Sequence, residues 1–248
     1  MREPSGDNAE GPLLLFGLHA VEAAVKNPAR RIHRLLLTEN AERRLTDAIG
    51  PLTAKIDRMT PRDLDRLLGP DTVHQGVALE TEPLPEPDWD ELARISDGRP
   101  LIVLDQVTDP HNVGAILRSS AVFGASGLVM THRHSPPLNG VLAKSASGAL
   151  EFIPVALVAN LARALEELRE AGFAVVGLDG DADTAIEDLD WSRPTALVMG
   201  SEGKGLRELT RKRCDTLARI STDGPVASLN VSNAAAIALY AAMRARRK

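Results

Sequence analysis

The chain has 248 residues, 44% of them hydrophobic and 25% charged, with a formal net charge of −5. Such a length suits two compact units that need no staples, no run reaches the roughly 18–20 apolar residues of a membrane span, and the single cysteine, Cys214, excludes an internal disulfide and a cysteine-clustered zinc site. The acidic balance disfavours nucleic acid as a partner but does not exclude it, because net charge governs long-range steering more than a local site.

The polar, acidic stretch Met1–Gly11 has no apolar core of a signal peptide. It is expected to be a disordered tail, and with the lone cysteine it suits a reducing cytoplasm. Residues 12–81 read as a small alternating α/β unit. An amphipathic segment spans Gly17–Lys26 and an apolar β-type run Ile32–Thr38. A helix then fits Glu42–Ile49, a strand Ala54–Met59, a helix Pro61–Leu68 and a strand Val73–Glu80. Thr60 followed by Pro61 is a good helix start, the first as cap and the second in the first turn. The proline-rich Glu80–Pro87 cannot pair in a central strand, so residues 82–98 are expected to be a linker.

Residues 99–248 show longer α/β alternation. Apolar runs suited to buried parallel strands occur at Leu101–Leu104, Gly127–Met130, Phe152–Val158, Ala174–Leu178, Thr195–Met199 and Thr216–Ile220. Helical stretches separate them at Val113–Phe123, Leu138–Ala149, Leu161–Ala171, Leu206–Asp215 and Ser228–Ala245. Strands joined by helices imply crossover connections and a mostly parallel sheet, which binds ligands beyond the carboxyl ends of its strands. The loops after Leu104, Met130, Met199 and Ile220 are therefore the ones to read for chemistry.

After Leu104 a polar loop leads through Pro110-His111-Asn112 into a helix, where Asn112 is placed to cap and Gly114 to allow close backbone approach. Arg118 lies further in, among small and apolar neighbours. Its guanidinium needs partners, which a structural salt bridge or a ligand would supply equally well. After Met199 comes Gly200-Ser-Glu202-Gly-Lys-Gly205, a backbone that bends sharply or lies against a ligand. It is not a Walker loop, because Val198 occupies the first glycine position and Gly205 follows Lys204. Glu202 is either a turn residue or functional. After Ile220 a Gly–Pro turn leads to Ser228 and Asn230, polar caps for a long alanine-rich helix whose free N–H groups suit an acceptor-rich ligand. After Met130, His132-Arg-His-Ser135 offers too few ligands for a metal and reads better as a loop touching RNA. The basic clusters Arg30-Arg31-Arg34, Arg211-Lys212-Arg213 and Arg244–Lys248 read as solvated faces.

Taken in order, three of these segments resemble the motifs N-x-G-x-x-x-R, [VM]-G-[SN]-E-x-x-G and S-L-N-V-[SA]-x-[AS] of the SpoU (TrmH-like) RNA 2′-O-ribose methyltransferases. The resemblance runs from about Leu13 to Arg246. It is nearest to the branch that methylates a guanosine ribose in 23S ribosomal RNA, because Phe16-Gly-Leu-His-Ala-Val and His74-Gln-Gly-Val resemble the ends of that branch's substrate-binding domain. The resemblance implies a knotted (trefoil, SPOUT-type) parallel-sheet methyltransferase domain behind a small RNA-binding domain like that of ribosomal proteins. It implies S-adenosylmethionine as cofactor, RNA as partner, a homodimer, and neither metal nor membrane. It also implies catalytic positions at Asn112, Arg118, Glu202, Ser228 and Asn230, and cofactor contacts at Met199, Gly200, Gly205, Ile220, Ser228 and Leu229. Arg118 is often given the role of base there. An arginine side chain, which holds its proton far above neutral pH, fits better as a group that orients the ribose or its phosphate. Ile220-Ser-Thr-Asp-Gly departs from the more usual isoleucine–proline–methionine–x–glycine, and its Asp223 adds a charge near the expected cofactor pocket. Rival readings are a transfer-RNA ribose as substrate, a catalytically silent RNA-binding dimer, and a nucleotide hydrolase that lacks its lysine context and magnesium-binding serine.

Overall fold

A computed structural model describes residues 12–94, 98–225 and 228–247. The tail expected at 1–11 lies outside the described residues. The chain divides into two compact units, Met1–Leu84 and Pro85–Lys248.

The first unit runs β1 (Leu13–Phe16), α1 (Leu18–Lys26), β2 (Ile32–Leu37), α2 (Glu39–Ile49), β3 (Ile56–Arg58), α3 (Pro61–Leu68) and β4 (Val77–Thr81). Its four strands lie in the order β1-β4-β2-β3. β4 is antiparallel to β1 and β2, and β2 is parallel to β3. The helix starts are written locally. Thr60 and Asp63 form a reciprocal capping box with Pro61 in the first turn of α3, and Thr38 caps α2. β1 has no counterpart in the sequence reading, because a four-residue apolar run gives no periodicity. The segment from Glu80 also corrects that reading. Glu80 and Thr81 pair on both sides of central β4, since the prolines begin only at Pro83 and both residues keep a free N–H. Val73 and His74 lie before the strand, which starts after a turn through Gln75 at φ 57° and Gly76 at φ 80°.

The second unit opens inside the stretch expected to be a linker. Trp89–Arg94 forms α4. Leu92 and Ala93 enter the second unit's core, and Trp89 Nε1 donates to Glu167 Oε2 at 2.7 Å. The linker is therefore shorter than 82–98, because an amphipathic turn with two apolar residues can bury them once a core is there to receive them. Next come β5 (Leu101–Asp105), α5 (Pro110–Phe123), β6 (Gly127–Thr131), α6 (Gly140–Ser145), β7 (Val155–Val158), α7 (Leu161–Glu170), β8 (Ala174–Leu178), β9 (Thr184–Ala185), β10 (Thr195–Gly200), α8 (Glu208–Arg213), β11 (Thr216–Arg219) and α9 (Val231–Ala245). Single 3-10 turns sit at Ala149–Glu151 and Ile186–Asp188. β7 starts later than the expected Phe152, because Pro154 has no N–H to give a ladder. β9, two residues long, is too short for any pattern to announce.

The seven strands lie in the order β7-β6-β5-β10-β8-β11-β9, all parallel. β5 and β6 are buried along their whole length, which is why they read as unbroken apolar runs. Phe173, fully buried beside Leu165, Leu168 and Val198, contributes on the order of 1.5–3 kcal/mol of burial free energy. The chain winds outward from β5 to β6 and β7, then crosses back so that β10 lies on the other side of β5. That reversal leaves a crevice at the carboxyl ends of β5 and β10. From β11 the chain returns to place α9 against α5 and β10. Among the described residues no helix is long and apolar enough to cross a membrane.

Candidate active site

Three loops meet at that crevice. α5 is capped by Asp109, whose carboxylate accepts from the His111 backbone N–H at 2.8 Å, with Pro110 in the first turn. Asn112, expected as the cap, lies inside the helix, and its amide is engaged elsewhere. Its Nδ2 donates to Glu202 Oε1 at 3.2 Å, and its Oδ1 accepts from Asn230 Nδ2 at 3.0 Å. Asn230 Nδ2 also donates to Glu202 Oε1, which closes a triangle. The amide orientations follow from one fixed donor. Asn230 Oδ1 caps α9 by accepting from the Ser232 N–H at 2.8 Å, so the nitrogen of Asn230 must face the triangle. Asn112 must then offer Asn230 its oxygen and Glu202 its nitrogen. Asn230 alone caps α9, and Ser228, expected to share that role, is exposed two residues earlier. Both amide donors fall on Glu202 Oε1, which leaves Oε2 free of protein partners among the described residues.

The glycine loop is shaped by its own backbone. A Cβ on Gly200 would stand 2.1 Å from the Gly205 carbonyl carbon and 2.3 Å from the Leu206 nitrogen. Only glycine allows this crossing, so any side chain at 200 has to displace the loop. Gly203 and Gly205 take positive φ of 76° and 65°, and the Gly205 N–H donates to the Ser201 carbonyl at 2.9 Å. Asp105 holds both ends. In register, Asp105 pairs with Gly200 across β5 and β10. Its carboxylate, 0% exposed, accepts from the Arg207 backbone N–H at 3.0 Å and from Arg207 Nε at 2.6 Å. The residue that follows the expected strand Leu101–Leu104 thus fastens a loop 102 positions away.

Beside the loop lies a cleft of about 540 Å³, in the range of ordinary small-molecule sites. Met199, Gly200, Gly205, Ile220, Ser228 and Leu229 all line it, as does Glu202. Asn112 and Asn230 stand at the triangle, outside its lining. Leu178, Asp179, Asp181 and Thr222 also line it and were not singled out in the sequence. The first three follow from the rule that directs attention to carboxyl ends of strands, applied to β8 as well. The wall is apolar along Leu178, Met199, Ile220 and Leu229, acidic at Asp179, Asp181 and Glu202, and basic at Lys204 and Arg211. Asp179 is fixed by Arg211 Nη1 at 2.8 Å and by the Asp181 N–H at 3.0 Å. In the loop that departs from the expected pattern, Ser221 Oγ donates to Glu187 Oε2 at 3.3 Å, tying this chain's serine to the 3-10 turn at 186–188.

Arg118 lies apart. It is exposed on α5 and makes no hydrogen bond or ion pair among the described residues, so the structural salt bridge is not formed. Cys214 does not supply a nucleophile. Burial, with the Asp215 and Asp105 carboxylates, pushes its thiol up to about 12. Among the described residues no group of three or more His, Cys, Asp or Glu is placed to hold a metal.

Residues 99–240 match the family described as the SpoU rRNA Methylase family, and residues 14–87 match one described as RNA 2′-O ribose methyltransferase substrate binding. The chain is 41% identical over 240 residues to the 23S rRNA (guanosine-2′-O-)-methyltransferase RlmB of Pseudomonas aeruginosa, covering 94% of this chain and 96% of that protein. It is 39% identical over 226 residues to an uncharacterized tRNA/rRNA methyltransferase of Mycobacterium avium, covering 89% of this chain and 72% of that one. Among solved structures it resembles the SpoU methyltransferase AviRb from Streptomyces viridochromogenes in complex with AdoMet, with a TM-score of 0.80 and 28% identity, covering 96% of this chain and 91% of that one.

Proposed function

On the premise that this chain belongs to the SpoU rRNA methylase family and is an S-adenosylmethionine-dependent RNA 2′-O-methyltransferase, we propose that its substrate is a guanosine ribose in 23S ribosomal RNA. The observation that carries the site assignment is the triangle of Asn112, Glu202 and Asn230. It joins loops 90 and 118 residues apart in sequence at the mouth of a cleft. A deep trefoil knot, with the C-terminal segment as its threaded part, belongs to the same proposal.

The cleft's chemistry fits the cofactor. Leu178, Met199, Ile220 and Leu229 offer an apolar wall for a flat purine, Gly200 and Gly205 offer backbone groups, and the carboxylates of Asp181 and Glu202, which have no ion pair among the described residues, suit a ligand with cationic amine and sulfonium centres. When bound there, S-adenosylmethionine supplies a methyl group on a sulfonium that is already a good leaving group. What remains for the protein is alignment and removal of one proton. Asn112 and Asn230 hold Glu202 rigidly through Oε1, and Oε2 is left to accept the hydrogen of the ribose 2′-hydroxyl. Ser228, exposed on the cleft wall, offers the ribose a hydroxyl. Arg118 pairs with the substrate's oxyanion or phosphate. Glu202→Gln preserves the oxygen that both amides need and turns the free acceptor into a donor. Its expected effect is a kcat lowered by about 10²-fold or more, with cofactor affinity retained in calorimetry. A kcat within a few-fold of wild type removes Glu202 from proton transfer.

A homodimer is part of the proposal. Val122 is 70% exposed on α5, and Ile237 and Tyr240 are exposed one turn apart on α9. Phe123 supports Tyr240 edge-on at 5.9 Å. Such an apolar surface suits a second copy. Arg118 precedes Val122 by one turn on the same helix face, so pairing brings the second copy within reach of its guanidinium. Sedimentation of wild type against Val122→Asp/Tyr240→Asp tests this, the variant being expected to run as a monomer. A ribosomal RNA substrate also makes the cytoplasm the proposed location.

The deciding experiment is transfer of labelled methyl to 23S ribosomal RNA and, separately, transfer RNA, both from a strain lacking this gene. Alkali-resistant label confined to 23S RNA is the expected result. Label in transfer RNA keeps the reaction and overturns the substrate. Absence of label in either, with cofactor bound, favours a silent RNA-binding dimer.

A further inference from the structure

Beyond the cleft, the second unit carries a cationic strip that this reaction's small-molecule chemistry does not use. Between Pro110 and Leu150 there is no Asp or Glu, although the chain has 34 acidic residues. The same stretch holds Arg118, Arg133 and Lys144, together with His111, His132 and His134. Elsewhere in the unit, Lys204 of the glycine loop has no partner among the described residues, but the four cations that follow it are each neutralised. Arg207 pairs with Asp105, Arg211 with Asp179, Lys212 with Glu208 and Arg213 with Glu166. The side chains of Arg133 and Lys144 have no hydrogen bond or ion pair among the described residues. In a protein of net charge −5, a stretch cleared of carboxylates with its cations unpaired is selectively attractive to an anion.

The strip abuts the site. β6 lies beside β5 in the sheet, so its following loop emerges next to the loop that leads to Asn112. That loop is held in place. The His132 N–H donates to the Val158 carbonyl at 3.1 Å, the Thr131 hydroxyl to the Arg133 carbonyl, and Asn139 caps α6. At the other end of α6, Ser145 Oγ and His111 Nδ1 are hydrogen-bonded at 3.0 Å. This fastens the neighbour of Lys144 to the neighbour of Asn112. Gly114 lets α6 lie close, since a Cβ there would be 2.4 Å from the Ser145 Cβ. Arg133 and Lys144 thus sit at the two ends of α6 and its entry loop, on a scaffold bonded to the catalytic triangle.

We propose that Arg133 and Lys144 bind backbone phosphates of the RNA strand beside the target ribose, so that the methyltransferase unit grips its substrate independently of the substrate-binding unit. The inference rests on the RNA reading above. Phosphate contacts set register without reading bases, and each one shows itself in salt dependence. For single strands, the slope of log affinity against log salt changes by about 0.7 per phosphate neutralised.

The test uses the full-length protein and a 23S ribosomal RNA fragment, with affinity measured across a salt series for wild type, Arg133→Ala/Lys144→Ala, and Arg244→Ala/Arg247→Ala as an equally charge-depleted control. The strip variant is expected to weaken RNA binding by on the order of tenfold and to flatten the slope by about 1.4, twice the single-contact value. Its cofactor affinity and its kcat at saturating RNA are expected to match wild type, which also certifies its fold. Arg133→Gln alone is expected to flatten the slope by about half as much. An unchanged slope in the strip variant, while wild type binds and methylates the RNA, overturns the strip alone. Equal loss in the control overturns it too, by reducing the effect to net charge. Wild type that neither binds nor methylates the RNA overturns the strip and the functional reading together.

Discussion

Replacing Arg118 with alanine is expected to lower methyl transfer by about 10²–10³-fold while leaving folding stability and cofactor affinity unchanged. The second half of that expectation comes from the structure. Arg118 is exposed and has no partner among the described residues, and surface substitutions of that kind stay within about 0.5 kcal/mol of wild type. An arginine that the fold does not use, on the helix that presents Asn112 to the triangle, is available to the substrate. Its planar fork suits phosphate or a developing oxyanion, and Arg118→Lys separates charge from shape. Activity retained in the lysine variant limits the role to charge, and activity lost in both assigns it to the fork. Single-turnover transfer of labelled methyl, with cofactor affinity by calorimetry, reads both quantities. Lost cofactor binding in Arg118→Ala would show the residue to be structural and overturn the assignment.

The second large effect is one of stability, and it has a sign that distinguishes two halves of one ion pair. Asp105 is 0% exposed at its side chain and Arg207 is 47% exposed. Arg207→Ala leaves a carboxylate in the sheet with one backbone N–H for company, a situation that costs about 3–5 kcal/mol. Asp105→Ala releases a guanidinium that can turn to water, so it is expected to cost less, about 1.5–3 kcal/mol for the charged hydrogen bonds lost. The double variant is expected to be more stable than Arg207→Ala alone. Urea midpoints followed by circular dichroism give the three values, and equal costs for the two single variants would mean the carboxylate is not confined as described. Since Asp105 clasps both ends of the loop carrying Glu202, all three variants are also expected to weaken cofactor binding.

These expectations show which parts of the protein are local. The parallel sheet was legible because a strand buried on both faces has to be apolar throughout, as Leu101–Leu104 and Gly127–Met130 are. The capping box of α3 was legible because Thr60, Pro61 and Asp63 act within one turn. The three site loops stood out because glycines, asparagines and a glutamate at strand ends serve no core. Some failures were local, such as strands too short to show a pattern, but at Asn112 and at residues 89–94 a distant group changed the outcome. Asn112 looked like a cap, but its amide is consumed by Glu202 and Asn230, and Asp109 caps instead. Residues 89–94 looked like linker until a core stood ready for Leu92 and Ala93.

By itself, then, the sequence determined the α/β alternation, the start of α3 and the residue types at the strand-end loops, because propensity, burial pattern and capping act over a few residues. The tertiary structure decided which polar groups pair. It tied Asp105 to Arg207, left Glu202 Oε2 and Arg118 free among the described residues, and brought Asp179 and Asp181 to the cleft. Pairing depends on distances between atoms far apart in the chain, and no pattern read along one strand or one helix contains them.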